Sequence, residues 1–462
     1  MSQLLLLGCC PLPGEKGCVA AGPGLRAWQF LKPLRAAGHD VRFMALRNES
    51  DYRHEVPPVV RRHLDDGFAY DALNVEFFSD AKLLIARQDA WKPDAVLGVG
   101  SILPAQMAVL AASVASCPAW ADLFGDPLAE LQATAALQAR AALQAAAALQ
   151  AGAALQTRAP SQGVAEKTDR DRIHAGLMMM RVLARADRLS TVSRRQEEAV
   201  LGQLGLVGRL NQHTVGCRLT SVVPCGIDLD AALPPVPQKQ RPAGGAPSEF
   251  RLCLSGSFNT WMDGETLAKG LEKAMKHCER LRLAVTGGAT PGYSEGLYEA
   301  FIAAMKQAGL ERRCVLHGWL PNEAVAAVHS QCDAGLNVDR WTVEGVFGSR
   351  NRVIQWLHLG LPVITPVLTE LTEALAAVGG VIPFRIGDAD SLCEAIISVM
   401  DNPARLSESL EKGQAFVRRE YNLAHTLREA LEWAKAPALA PDRAKAGHGV
   451  ALNSLHQSFF TL

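Results

Sequence analysis

DRWTVEGVFGSRNRVIQWLHLGLPVITP, residues 339–366, is the stretch that decides how this chain folds. Glu344 precedes Gly345 and Gly348, and Ser349, Arg350, Asn351 and Arg352 then stand where a helix should begin. Gly360 stops that helix, and LPVITP (361–366) starts a short apolar strand without a wasted residue. Backbone N–H groups at a helix start favour anions, so two arginines beside them form a pyrophosphate-binding arrangement. The same arginines also fit a solvated face or a pairing with Glu344.

Working outward, the scheme repeats. LSGSFNTWMDGETL (254–267) again runs strand, small polar loop, helix, with Gly256, Ser257, Asn259 and Thr260 in the loop and Asp263 and Glu265 at the helix start. RLAVTGG (282–288), CVLHGWL (314–320), AGLNVD (334–339) and VIPF (381–384) supply further strands, with helical stretches between them. The first half has the same alternation: LLLLG (4–8), DVRFMAL (40–46), AVLGVG (95–100), PAWADLF (118–124), DRLSTVS (187–193) and TSVVPCG (220–226). Short apolar strands separated by helices imply parallel sheets covered on both faces. PPVPQKQRPAGGAPS (234–248) cannot be regular structure and separates the halves. The expected architecture is α/β, with two Rossmann-like doubly wound domains facing across a cleft. The domains are residues 1–233 and 249–418, followed by a helix over 419–436 crossing back to the first domain and a tail over 437–462.

Composition narrows the function classes. The chain has 462 residues, 48% hydrophobic and 20% charged, with Lys+Arg and Asp+Glu balanced at 47 each. That balance gives no basic field for nucleic acid. No apolar run approaches the ~18 residues of a membrane span, which leaves only peripheral membrane contact open. Eleven cysteines with no CxxC pair read as small hydrophobes in a reducing cytoplasm and offer no structural zinc set. GCCPLPGEKGCVAAGPGLRAW (8–28) places Gly22 and Gly24 at a helix entry, yet lacks the tight GxGxxG spacing of a dinucleotide loop.

One segment departs from the scheme. From Leu131 the sequence repeats every six residues (LQATAA, LQARAA, LQAAAA, LQAGAA, LQTRA) through about residue 160. Ala and Gln favour helix. Six steps of ~100° turn the chain by ~240°, so the leucines point three ways and form no single stripe. The expectation is an exposed low-complexity helix inserted in the first domain, without chemistry of its own. A partner-binding helix is the alternative.

The two halves, GPGLRAW (22–28), VPCGID (223–228) and the Glu–Gly…GLPVI block together resemble the GT-B type glycosyltransferases, and specifically their retaining, glycogen-synthase-like group. The resemblance covers roughly residues 1–435 apart from the repeat. It implies a nucleotide-sugar donor, a glycan, lipid-linked or protein acceptor, no cofactor and no metal, at the cytoplasmic side. Glu344 matches the acidic residue that contacts the donor. The family's second glutamate, eight residues on, is here Arg352, or Gln355 when GLPVI is aligned. The family's loop Arg and Lys are absent, with Ser257, Asn259 and Thr260 in their place, so Arg350 and Arg352 are expected to hold the diphosphate together with Asn351. Gly287, Gly288 and Trp319 fall at strand ends beside the nucleoside, and Asp122 at the position facing the transferred sugar. Gly22, Gly24 and Arg26 belong to the acceptor-side loop. No protein nucleophile is required. The missing glutamate and loop cations also fit an inactive subunit of the same fold. A nucleotide-sugar epimerase shares the architecture but lacks a His–Glu acid/base set here.

Overall fold

The computed structural model describes residues 1–15, 17–19, 21–47, 57–150, 162–230, 249–289 and 295–444. The Pro/Gly-rich linker, the end of the repeat and most of the tail lie outside them. The chain forms two compact units, one of residues 1–126, 173–225 and 423–462, the other of 127–172 and 226–422.

In the first unit eight strands, β1 (Gln3–Cys10), β2 (Asp40–Arg47), β3 (Val59–His63), β4 (Ala69–Leu73), β5 (Ala95–Gly98), β6 (Ala119–Leu123), β7 (Arg188–Thr191) and β8 (Thr220–Val222), order as β3-β4-β2-β1-β5-β6-β7-β8. Only β3 runs antiparallel to its neighbour. The run Leu4–Leu7 shows why the sheet is central. Alternate side chains of a strand point to opposite faces, and Leu4 and Leu6 enter one core while Leu5 and Leu7 enter the other, all fully buried. The returning C-terminal segment is two short helices, Leu423–Thr426 and Arg428–Lys435, not one. Leu423, Leu427, Ala430 and Ala434, spaced four, three and four apart, press one face onto this unit's core.

The second unit carries a six-stranded parallel sheet of β9 (Phe250–Ser257), β10 (Leu281–Gly288), β11 (Cys314–Gly318), β12 (Ala334–Leu336), β13 (Val363–Pro366) and β14 (Ile382–Phe384), ordered β11-β10-β9-β12-β13-β14. Successive strands to either side of β9 leave the β9/β12 boundary as the point where the winding reverses, the place where ligands bind at the carboxyl ends of such sheets.

Two expectations change. Residues 57–67, absent from the strands expected in the first half, include the edge strand β3, whose two arginines conceal its alternation; Arg61 there pairs with Asp71 on β4 at 2.8 Å. The repeat helix, Pro127–Gln150, groups with the second unit and not the first. Ala133 and Thr134 are buried, and Arg140 pairs with Glu265 at the start of the helix after β9.

Candidate functional site

The carboxyl ends of β9 and β10 meet in a glycine corner. Gly256 and Gly287 have φ of +90° and +99°, and a Cβ on Gly287 would stand 2.4 Å from the Gly256 carbonyl oxygen. Only glycine permits both the conformation and the approach. The Phe258 N–H closes the corner by donating to the Gly288 carbonyl at 3.0 Å. Trp319, just after β11, is 44% exposed and donates its indole N–H to the Ala289 carbonyl at 3.0 Å. Ser257 and Asn259 are half-buried on the loop, whereas Thr260 is fully buried.

That loop is stitched to the segment following β12. The Asp263 N–H donates to the Val338 carbonyl (2.9 Å), and the Arg340 N–H donates to the Trp261 carbonyl (2.8 Å). The Arg340 guanidinium donates to the Thr260 carbonyl, through Nε at 2.7 Å. Beyond Arg340, Thr342 caps a short helix, Val343–Phe347, by accepting from the Gly345 N–H at 2.8 Å. This turn holds Glu344, 4% exposed. Asp339, equally buried, accepts from Asn337 Nδ2 at 3.0 Å and from Arg350 Nε at 2.7 Å. Arg350 Nη2 donates to the Gly345 carbonyl (3.2 Å), Nη1 lies 4.0 Å from Glu344 Oε1, and the guanidinium rests over the Trp261 ring at 5.3 Å.

The helix Asn351–His358 buries Val353, Ile354, Trp356 and Leu357 against the sheet. Arg352 and Gln355, three residues apart, therefore share its half-buried face, and Asn351 stands at its start. Arg352 Nη2 makes one long hydrogen bond, 3.5 Å to the Ser257 carbonyl, and a Cβ on Gly256 would lie 3.4 Å from it. Among the described residues no carboxylate lies within ion-pair distance of Arg352. Burial pushes its guanidinium below the ordinary value, opposed by Asp339 and reinforced by Arg350. A desolvated, weakly bonded cation beside a glycine corner suits an anion.

The structure thus gathers Glu344, Arg352, Gly256, Ser257, Asn259, Thr260, Gly287, Gly288, Asn351 and Gln355 into one region, with Trp319 at its rim. It does not turn Arg350 outward. That side chain is drawn inward by the buried Asp339 at 2.7 Å, a partner the sequence reading did not weigh, with Glu344 only at 4.0 Å, and this replaces the expected diphosphate contact.

Asp122 is also corrected. Its carboxylate is fully buried, accepting from Arg26 Nε (2.9 Å), Arg26 Nη2 (2.8 Å) and Ser190 Oγ (2.6 Å). Arg26 spends its remaining donors on the Val223 and Pro224 carbonyls and Gln29 Oε1. Neither side chain presents a group to a ligand. Gly24 serves close packing, since a Cβ there would meet the Pro11 carbonyl oxygen at 2.1 Å, and Gly22 opens the helix Gly22–Ala36.

Sequence reasoning missed Asp339, Asn337 and Gly348 as functional candidates. Asp339 opens the decisive stretch, and an acidic residue eleven positions before an arginine was the available signal. For Gly348 none existed, because its need for glycine comes from what surrounds it.

Comparisons with known proteins bear on the fold. A family model described as glycosyl transferase-like matches residues 268–432. No curated protein sequence matches the chain significantly. Among solved structures, a sucrose-phosphate synthase from Thermosynechococcus elongatus aligns with 94% of this chain and 99% of its own at 14% identity and a TM-score of 0.61. HepE from Anabaena, in complex with UDP and glucose, aligns with 94% and 100% at 14% identity and 0.59. A UDP-forming alpha,alpha-trehalose-phosphate synthase from Burkholderia vietnamiensis aligns with 94% and 99% at 12% identity and 0.60. Together these define the class: the fold is GT-B. The family-model match falls mostly within the second unit and runs on into the C-terminal segment that groups with the first. Among the described residues no helix is long and apolar enough to cross a membrane.

Proposed function

We propose that the chain transfers a glycosyl group from a nucleotide-sugar donor to a glycan, lipid-linked or protein acceptor, with retention of configuration and without a metal. The single observation carrying this reading is Arg352: a half-buried guanidinium with no carboxylate partner among the described residues, set against Gly256 at the carboxyl edge of the sheet. The donor's diphosphate lies against Arg352, the Gly256–Thr260 loop and the N–H groups at the start of the helix Asn351–His358. Glu344 addresses the sugar, and Gly287, Gly288 and Trp319 border the nucleoside. UDP and glucose bound to Anabaena HepE support beginning with uridine donors.

Charge accumulates on the departing diphosphate as the bond from the anomeric carbon to the phosphate oxygen breaks. Fixed cationic and N–H donors there are stronger in the transition state than in the ground state, which is where stabilisation accelerates transfer. The acceptor oxygen bonds to the anomeric carbon on the face just vacated. Its proton passes to the departing phosphate oxygen, so atoms balance without a protein nucleophile. Arg352 supplies the charge that a metal would otherwise contribute.

The test is thermal: the full chain is melted with UDP, GDP and ADP and with the glucose ester of each, in EDTA. Binding to the folded state alone raises the melting temperature. One nucleotide series should do so, and its glucose ester should release nucleoside diphosphate with EDTA present. No shift from any of the six, or turnover abolished by EDTA and restored by Mg²⁺, would contradict the reading.

A further inference from the structure

Three observations around Glu344 go beyond the donor contacts. Asp339 and Arg350 are each almost fully buried and joined at 2.7 Å, and the far side of the Arg350 guanidinium faces Glu344 Oε1 at 4.0 Å. Asn337 holds Asp339 from behind, its Nδ2 donating both to Asp339 Oδ2 and to Thr365 Oγ1 at 3.0 Å on β13. Gly348 fills the remaining side. A Cβ there would lie 2.4 Å from Arg350 Nη1 and 3.1 Å from Glu344 Oε1, although its own φ of −68° suits any residue. Glycine is favoured here by what surrounds it, the Glu344 main-chain carbonyl oxygen at 3.0 Å included, and not by its own φ.

We propose that Asp339 is a positioning residue, which through Arg350 fixes the Glu344 carboxylate for the sugar of the donor, with Gly348 as the space that lets the pair lie side by side. The proposal rests on the donor reading above and divides the two arginines between tasks. Arg352 meets the diphosphate, and Arg350, held by Asp339, meets Glu344. A buried guanidinium with a planar fork holds a carboxylate in place better than a flexible ammonium. Asp339, bonded at once to Asn337 and Arg350, ties that fork to the ends of β12 and β13. A merely structural Asp339 would weaken all donor binding when removed. A positioning Asp339 would not, since its loss leaves Arg350 without its partner, free to add its charge to the diphosphate side.

The experiment measures UDP and UDP-glucose affinities by calorimetry for the full chain and for Asp339→Asn, Gly348→Ala, Glu344→Gln and the Asp339→Asn/Glu344→Gln double variant. Gly348→Ala tests the same device by steric displacement of the Arg350 guanidinium from Glu344, leaving every charge in place. Expected are UDP affinities unchanged within twofold, or tighter, in every variant. The ratio of UDP-glucose to UDP affinity should move at least fivefold from the wild-type value in Asp339→Asn and Gly348→Ala, toward that of Glu344→Gln, and the double variant should show no further change. Loss of UDP affinity alongside the sugar effect, or additive effects in the double variant, would overturn the proposal while leaving the donor reading intact. A wild-type chain that binds neither UDP nor UDP-glucose, nor the guanosine and adenosine counterparts, would remove both.

Discussion

Arg26 in the first unit and Arg352 in the second carry the same group and are treated oppositely. Arg26 is fully buried with every donor directed at an acceptor of its own unit, five contacts between 2.7 and 3.3 Å. Arg352 has a single contact at 3.5 Å. A buried charge that is fully paired does structural work, whereas one left nearly unpaired costs stability that only a ligand recovers. The contrast extends to their surroundings. Around Asp122 even Trp120 finds a partner, its indole N–H donating to Ser190 Oγ at 2.9 Å. In the second unit Thr260 Oγ1, Asn337 Oδ1, Trp356 Nε1 and both nitrogens of His329 are buried without one. Around Asp122 the first unit has satisfied its polar groups, although Gln106 Oε1, Gln203 Oε1 and Thr426 Oγ1 elsewhere in it are also buried without a partner among the described residues, and the second unit leaves Thr260 and Asn337 unsatisfied beside the segment that carries Asp339.

The largest effect that could break this comparison is at Asp122. Asp122→Asn leaves Arg26 charged and short of its ion partner, and breaking a buried pair in this way costs about 3–5 kcal/mol. The melting temperature should fall by roughly 10 °C, with donor binding retained at temperatures where the variant is folded. Full stability with loss of transfer would return Asp122 to the reacting centre and erase the distinction between the units.

A smaller effect sharpens the other side. His329 packs edge-on against Trp356, on the helix that carries Arg352, with ring centroids 6.2 Å apart, and burial pushes its pKa down to about 4. An unfolded histidine titrates near 6.5, so as pH falls the denatured chain takes up the proton first. This stability is fully present above pH ~6.5 and is lost progressively toward pH ~4, with about 2 kcal/mol gone at pH ~5. Urea midpoints at neutral and mildly acidic pH should show this slope in the wild type and its loss in His329→Phe. Identical slopes would mean that His329 is not held neutral.

The sequence made the architecture legible because its strongest signals are local. Leu4–Leu7, AVLGVG and LPVITP are buried strands whose apolar runs need no partner to be recognised, and Gly360 ends a helix visibly. The edge strand β3 was hidden because Arg61 and Arg62 interrupt its apolar alternation, Arg61 pairing across the sheet with Asp71. In the site, Glu344 and the glycine corner were legible as types in order. What separated Arg350 from Arg352 was not, since two arginines two residues apart on a helix start look alike until the fold places Asp339 beneath one and Gly256 opposite the other. Asp122 misled for the same reason: a carboxylate at the carboxyl end of a strand reads as exposed chemistry until Arg26 is seen folded over it. The hexapeptide repeat was read correctly as helical through Gln150, while its grouping with the second unit depends on contacts such as Arg140 with Glu265 that no periodicity announces.

The central claim, that Arg352 is the cation kept for the donor's diphosphate, is tested most directly by titrating UDP, GDP and ADP into the wild type and Arg352→Ala under identical salt. The account predicts at least a tenfold loss of affinity for the nucleotide that binds, about 1.4 kcal/mol, with the ligand-free melting temperature unchanged or raised, because a poorly paired, half-buried charge has been removed. Equal affinities in the two proteins, together with a lowered ligand-free melting temperature, would contradict it and make Arg352 a structural residue like Arg26.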